Sequence, residues 1–245
     1  VERQLIGSKP LNSERSVAVR VNEDGTFTSV PTIFSGNVAT MKSLTNSVYM
    51  IVENEQTFPD IRNNWAKSYI EKLASKYIVY GKENGRFAPG DHVTRAQFAV
   101  LLVRALGLPG EKYDGRFRDV KGNEWFNANG ELMAAVKYGI VKGKENGAFA
   151  PNEKITRAQA AVMMERALKA NFLHFNLSKL DATKKVTDFK DVHQIGEWSK
   201  LAIETMYQAG IFNGKADGRF EPNHYLQRDQ MAKALVQFLR LAELM

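Results

Sequence analysis

The sequence predicts a mainly α protein, with three helix–loop–helix repeats preceded by a short β-rich segment. Two observations carry that prediction. Gly81 to Arg95, Gly143 to Arg157 and Gly214 to Arg228 are all 14 residues apart, a spacing that chance similarity does not hold three times. Around each such stretch apolar residues recur at helical intervals, whereas residues 1–56 show runs of two-residue alternation instead,. Repeats of this length mark stacked supersecondary units that cannot bury their apolar faces alone.

The β-rich segment comes first. Ser16–Val21 partly alternates, Asn22-Glu23-Asp24-Gly25 supplies turn residues, and Thr26–Val30 reads as the returning strand of a hairpin,. Val48–Val52 is a third strand candidate. About three strands make a marginal sheet, which suggests the end of a larger β module. The N-terminal VERQLIGSKP is neither a signal peptide nor led by methionine, so a processed or partial product is expected, with any export signal upstream,.

The expected boundaries are 1–56 for the β-rich segment, 57–110 for the first repeat, 111–180 for the second with its linker, and 181–245 for the third. The corresponding arginines Arg95, Arg157 and Arg228 are 62 and 71 residues apart. Each repeat opens on an amphipathic helix. Trp65, Tyr69 and Leu73, with Ala66, Ile70 and Ala74, mark it in the first repeat, Leu132, Met133 and Val136 in the second, and Ala202, Ile203 and Met206 in the third. Gly130 is expected to weaken the early turn of the second by about 1 kcal/mol relative to alanine. These helices should end near Tyr77, Gly139 and Gly210. Glycine suits a left-handed C-terminal cap and tyrosine does not, so the first repeat must end its helix differently or carry strain.

A punctuated loop follows. Gly81-Lys82-Glu83-Asn84-Gly85, Gly143-Lys144-Glu145-Asn146-Gly147 and Gly214-Lys215-Ala216-Asp217-Gly218 are turn sequences,. Phe87, Phe149 and Phe220 are expected to be buried, and Pro89, Pro151 and Pro222 stop any helix,. The second helix then starts at a capping box, Thr94 with Gln97 and Thr156 with Gln159,. The third repeat has Gln227 at the cap position, a loss of roughly 1 kcal/mol that packing must offset. Core stripes run along Phe98, Leu101, Leu102, Ala105; Met163, Met164, Ala167, Leu168; and Met231, Leu235, Phe238, Leu239.

Composition excludes several chemistries. The chain has no cysteine, which removes disulfides, thiolate catalysis and cysteine metal sites,. No run of 18 apolar residues predicts a membrane helix,. Residues 1–56 carry 5 Lys/Arg and 6 Asp/Glu, so the net charge of +7 belongs to the remainder, with 29 and 21. A diffuse excess of that size admits nucleic acid, an anionic membrane or an anionic polysaccharide. His92, His174, His193 and His224 form no ligand motif and read as exposed loop residues. No zinc-protease, phosphate-loop or nucleophile-elbow motif is present, and the Asp217 loop lacks the oxygen array of a calcium site,. Asp60, Asp119 and Asp191 recur in a Phe-x-Asp position, as paired carboxylates or as turn and cap residues. Trp65, Trp125 and Trp198 recur as sugar-stacking rings or as core. Each repeated arginine sits in the first turn of a helix, where a cation gains nothing from the helix field. It either pairs with an internal aspartate or presents a planar fork to a carboxylate, with helical N–H groups helping.

The full pattern is Phe-x-Asp-Val/Ile, then Trp, then Gly-Ile-x-x-Gly-x-x-x-Gly-x-Phe-x-Pro-x-x-x-Ile-Thr-Arg-Ala-Gln. It resembles the S-layer homology domain in three tandem copies, from residue 58 to about 242. The family tag Thr-Arg-Ala-Glu appears as Thr94-Arg95-Ala96-Gln97, Thr156-Arg157-Ala158-Gln159 and Gln227-Arg228-Asp229-Gln230. The resemblance implies a pseudo-threefold helical bundle with grooves between neighbouring repeats. It implies non-covalent anchoring of an exported protein to the bacterial cell wall, through a secondary cell-wall polysaccharide bearing pyruvylated N-acetylmannosamine. It implies an extracellular location in the wall or S-layer, no cofactor, no nucleic acid and no membrane insertion. The glycan-binding set carried over is Arg95, Arg157, Arg228, Gly81, Gly143, Gly214 and the adjacent Lys82, Lys144, Lys215, with Trp65, Trp125, Trp198, Asp60, Asp119 and Asp191 beside them. Tyr77 and Gln227-Arg228-Asp229-Gln230 depart from the pattern, and the second repeat follows it most closely. A polysaccharide-modifying enzyme and a purely structural oligomerisation module are the alternatives. No spacing singles out an acid and a base, and threefold repetition suits binding better than catalysis.

Overall fold

Six strands occupy the described residues of the N-terminal segment, where three were expected. The computed structural model describes residues 2–22 and 25–245. Strands β1 (Glu2–Ile6), β5 (Val38–Lys42) and β4 (Thr32–Ser35) form one antiparallel sheet in that order. Strands β3 (Phe27–Val30), β2 (Ser16–Val21) and β6 (Val48–Glu53) form the other. The expected strands are those of the second sheet, and the first sheet is the correction. Of the expected Asn22–Gly25 turn, Glu23 and Asp24 lie outside the described residues, while Gly25 takes φ +80° as its position requires,. The two sheets share one small core. Ala18, Val30 and Met41 are buried at its centre, with Leu5, Tyr49 and Ile51 packed against them.

The helices follow the repeats. They are α1 (Lys67–Ser75) and α2 (Arg95–Ala105), α3 (Glu131–Lys137) and α4 (Arg157–Leu168), and α5 (Glu197–Gln208) and α6 (Arg228–Leu241). No helix among the described residues is long and apolar enough to cross a membrane. The core stripes of the second helices are buried, methionines included, and Phe87, Phe149 and Phe220 are fully enclosed, whereas Trp65 of the first repeat's opening stripe is exposed. Both capping boxes form. Thr94 N–H donates to Gln97 Oε1 at 2.9 Å while Gln97 N–H donates to Thr94 Oγ1 at 3.2 Å, and Thr156 with Gln159 does the same.

The chain divides into two compact units. The first holds the described residues of Val1–Asp91 with Leu101–Gly110 and Arg228–Met245; the second holds His92–Val100 and Glu111–Gln227.

Within the first unit, α1 packs on α6 and its C-terminus is closed by the β segment. Asn54 Nδ2 donates to the carbonyls of Ala74 and Ser75 at 3.3 and 3.2 Å, and so satisfies carbonyls that a helix end leaves orphaned,. Lys76 is buried there and donates Nζ to Ser13 O and Ser16 O at 2.9 and 2.8 Å. Burial, aided by Lys72 and opposed by Glu14, pulls its pKa down to about 8,. Tyr77 carries the strain that the sequence implied. It takes φ +55° where Gly139 and Gly210 take +73° and +70°. A left-handed residue with a Cβ costs roughly 1–2 kcal/mol. The Tyr77 ring offsets part of this by packing edge-on against Phe27, centroids 4.9 Å apart,.

Within the second unit, α4 packs on α5. Gly130 lies outside the helix it was expected to weaken. It is the left-handed N-cap of α3, and a Cβ there would meet the Glu111 backbone nitrogen at 2.4 Å. The α3 helix is therefore only seven residues long. The three repeats meet at Val93, Ile155 and Leu226, one buried residue from each. Val93 N–H donates to Leu226 O, Leu226 N–H to Ile155 O and Ile155 N–H to Val93 O, each at 2.9 Å. This closed triangle of backbone hydrogen bonds gives the unit a local pseudo-threefold centre.

Candidate functional site

Each loop is built on a tight turn. Lys82 N–H donates to Arg86 O, Lys144 N–H to Ala148 O and Lys215 N–H to Arg219 O, all at 2.8 Å. Gly81, Gly143 and Gly214 precede these lysines, and the structure supplies the reason for glycine. A Cβ there would lie 2.7, 2.8 and 2.8 Å from the ring carbons of Phe58, Phe117 and Phe189, the first residues of the Phe-x-Asp motifs.

The aspartates of that motif hold the next part of the loop. Asp60 accepts the N–H groups of Phe87 and Ala88 at 2.9 and 2.7 Å, Asp119 those of Phe149 and Ala150 at 2.7 and 2.8 Å, and Asp191 those of Phe220 and Glu221 at 2.7 and 2.8 Å. The second residue of each pair is left-handed, with φ +56° at Ala88, +60° at Ala150 and +59° at Glu221. Successive N–H groups in such a turn converge into an anion-binding nest, and here the nest holds the chain's own carboxylate. That contact stabilises a backbone conformation alanine and glutamate rarely adopt.

Desolvation opposes ionisation of Asp60 and Asp119. The loop amides outweigh it and hold both carboxyls below their ordinary range,. A carboxylate whose folded pKa is depressed contributes stability above its unfolded pKa, about 3.9, and loses it as pH falls through the folded value. Stability to urea is therefore expected to decline below about pH 4. Asp119→Asn should cost roughly 1.5–3 kcal/mol at pH 7, the worth of a charged hydrogen bond, and should flatten the acid branch. An acid branch identical in the variant would take Asp119 out of this role.

The arginines meet these loops in cyclic order. In the second unit, Arg95 Nε donates to Phe149 O at 3.0 Å and Arg157 Nε to Phe220 O at 2.8 Å. In the first unit, Arg228 Nε donates to Phe87 O at 2.8 Å. The first two backbone amides of each helix also find acceptors on the same loop. Arg95 and Ala96 donate to Glu153 O and Pro151 O, Arg157 and Ala158 to His224 O and Pro222 O, and Arg228 and Asp229 to Asp91 O and Pro89 O. These N–H groups are committed to the fold, so the helix ends supply no further donors of that kind. Arg95 and Arg157 are buried, at 9% and 6% exposure, and Arg228 is half-buried. Their guanidinium carbons lie 5.4, 4.8 and 4.3 Å from the ring centroids of Phe149, Phe220 and Phe87. Burial pulls all three pKa values down, opposed chiefly by Glu153, Glu221 and Asp91 respectively. Yet among the described residues none of the three forms an ion pair with a carboxylate. The terminal nitrogens differ. Arg228 Nη2 donates to Tyr80 O at 2.9 Å and Arg95 Nη2 reaches Lys142 O at 3.5 Å, whereas neither Nη of Arg157 meets a protein acceptor among the described residues.

The lysines sit on the exposed rim. Lys82 pairs with Asp91, Lys144 with Glu153 at 2.6 Å and Lys215 with Glu221 at 3.5 Å. The first two are exposed pairs, worth about 0–1 kcal/mol, so a ligand can displace them, whereas Glu221 in the third is largely buried,. Trp65, Trp125 and Trp198 are 57, 52 and 63% exposed, which places them on the surface. Trp65 is tied to a helix that bears an arginine, through Nε1 to Asp229 Oδ2 at 3.1 Å. All four histidines are exposed. Sequence reasoning missed the left-handed residues, the lysine counter-ions and the role of Asp229. Of these, only Asp229 left a legible signal, as a departure from alanine.

The model of the S-layer homology domain matches residues 57–99, 116–161 and 188–232, more than half of the chain. The chain belongs to the S-layer homology domain family. It is 33% identical over 84% of its length to an amylopullulanase of Thermoanaerobacterium thermosulfurigenes, covering 11% of that protein. It is 36% identical over 76% of its length to an endoglucanase of Bacillus sp. (strain KSM-635), covering 19% of it. An S-layer protein of Bacillus anthracis is 32% identical over 74% of this chain, which covers 21% of that protein. The chain thus spans about a fifth or less of these relatives. Membership of the S-layer homology family carries a non-catalytic, cell-wall-anchoring role, binding to secondary cell-wall polysaccharide in general, and a location outside the cell at its surface.

Proposed function

We propose that this S-layer homology module anchors a longer exported protein by gripping the ketal carboxylate of pyruvylated N-acetylmannosamine in the secondary cell-wall polysaccharide. One observation carries the reading. Three repeated, buried or half-buried arginines form no direct ion pair with a carboxylate among the described residues, and burial depresses all three pKa values despite the more distant acidic charges, a cost that an arriving anion would relieve,. A carboxylate matches the planar fork of a guanidinium. The rim lysines and exposed tryptophans suit the hydroxyls and apolar face of the attached sugar. Arg157, with both terminal nitrogens open, is the strongest anchor. In isothermal calorimetry the pyruvylated glycan is expected to bind at least about tenfold more tightly than the same glycan without its ketal, the equivalent of one charged hydrogen bond. Equal affinities would overturn the reading.

A further inference from the structure

The third repeat carries Asp229 where the first two carry Ala96 and Ala158. Its side chain is 6% exposed and firmly held. Oδ2 accepts from Trp65 Nε1 at 3.1 Å and from Asn64 Nδ2 at 3.5 Å, and Oδ1 accepts from the Gln230 N–H at 2.6 Å. Three consequences follow within this unit. A carboxylate stands at the position next to Arg228 in the chain, and the Arg228 guanidinium already feels the Asp91 and Asp60 charges. The indole N–H of Trp65 is occupied, whereas those of Trp125 and Trp198 meet no protein acceptor among the described residues. Arg228 itself has Nε on Phe87 O and Nη2 on Tyr80 O, in contrast to the open fork of Arg157.

We propose that Asp229 is a specificity-determining residue that closes the Arg228 face to carboxylate ligands, leaving the Arg95 and Arg157 faces to bind them. This rests on the carboxylate-binding reading above. The like charge repels the ligand's carboxylate, and the occupied indole withholds a donor from the sugar. A competing account gives Asp229 a local task only. An acidic residue in the first turn of a helix is favoured by the helix field and compensates for the missing threonine at Gln227. That account predicts a change in melting temperature without a change in binding stoichiometry.

The test titrates the chain with the pyruvylated N-acetylmannosamine monosaccharide, comparing wild type with Asp229→Ala and Asp229→Asn. Two sites per chain are expected in the wild type and three in the variants. Asp229→Asn keeps an acceptor for Trp65 and separates charge from indole capture if Asp229→Ala fails to fold. A second readout needs no variant. In the wild type, the Trp65 indole N–H resonance should stay in place on titration while those of Trp125 and Trp198 move. Three equivalent wild-type sites, folded variants that keep the wild-type stoichiometry, or a Trp65 resonance that moves with the others would overturn the assignment while leaving the carboxylate reading intact. An absence of binding in every protein would overturn both.

Discussion

A chain ending at residue 188 is expected to lose cooperative unfolding, although two of its three repeats remain. Helix α6 is the packing partner of α1, and α5 is that of α4. Truncation therefore strips a partner from each remaining repeat at once. Met231, Leu235, Val236, Phe238 and Leu239 of α6 are at most 1% exposed. At about 1.5–3 kcal/mol for each such side chain, their loss is on the order of 10 kcal/mol, comparable with the whole stability of a typical domain. Polar losses add to this. Leu226 leaves the Val93–Ile155–Leu226 triangle, and α4 loses the Phe220, Pro222 and His224 carbonyls that receive its first-turn donors. The remaining repeat-one loop loses the donors of Arg228 and Asp229. Circular dichroism during urea titration checks this. A single sharp transition in the 1–188 chain, with a midpoint close to wild type, would show that the repeats are energetically independent.

The helical part was legible because it is written three times. A glycine-to-arginine spacing held in three copies locates loop, proline stop and cap together, even at Gln227 where the local cap signal is absent. The strained end of α1 was legible from a single residue, since Tyr77 stands where Gly139 and Gly210 stand. The β segment was read only in part. Ser16–Val21, Phe27–Val30 and Val48–Glu53 contain clear β-branched or aromatic runs, whereas Glu2–Ile6 and Thr32–Ser35 mix polar residues into both faces, and the inner face of Val38–Lys42 is only Ala39 and Met41. At the site, residue types were legible and their partners were not. The arginines meet backbone carbonyls 54, 63 and 141 positions away rather than aspartates. No local pattern specifies such a carbonyl, because every residue carries one. The left-handed Ala88, Ala150 and Glu221 were invisible for a related reason. Their conformation is imposed by carboxylates 27 to 31 residues distant, not by their own side chains.

Replacing Arg157 should separate binding from folding most sharply. Arg157→Ala removes one hydrogen bond to Phe220 O, worth about 1 kcal/mol, and guanidinium contacts with Phe220 and Phe212 at 4.8 and 5.4 Å, worth roughly 0.5–2 kcal/mol,. A loss of about 1.5–3 kcal/mol lies inside the 5–15 kcal/mol that holds a typical domain folded, so the variant should melt lower but remain native. Binding is expected to suffer more. Two parallel charged hydrogen bonds from the open terminal nitrogens, at about 1.5–3 kcal/mol each, amount to roughly a hundredfold or more in affinity at that face. In titration with the pyruvylated sugar this appears as one site fewer. Arg157→Lys keeps the charge and loses the fork, so it should retain a weakened site, and the gap between the two variants measures how much of the grip is geometric. Arg95→Ala measured alongside should bring a smaller loss, because its Nη2 already faces Lys142 O. If Arg157→Ala binds as many sugars as wild type with unchanged affinity, the residue holds only the Phe220 loop. If instead melting temperature and affinity fall together in both variants by matching free energies, the loop geometry and not the arginine fork is what the ligand reads.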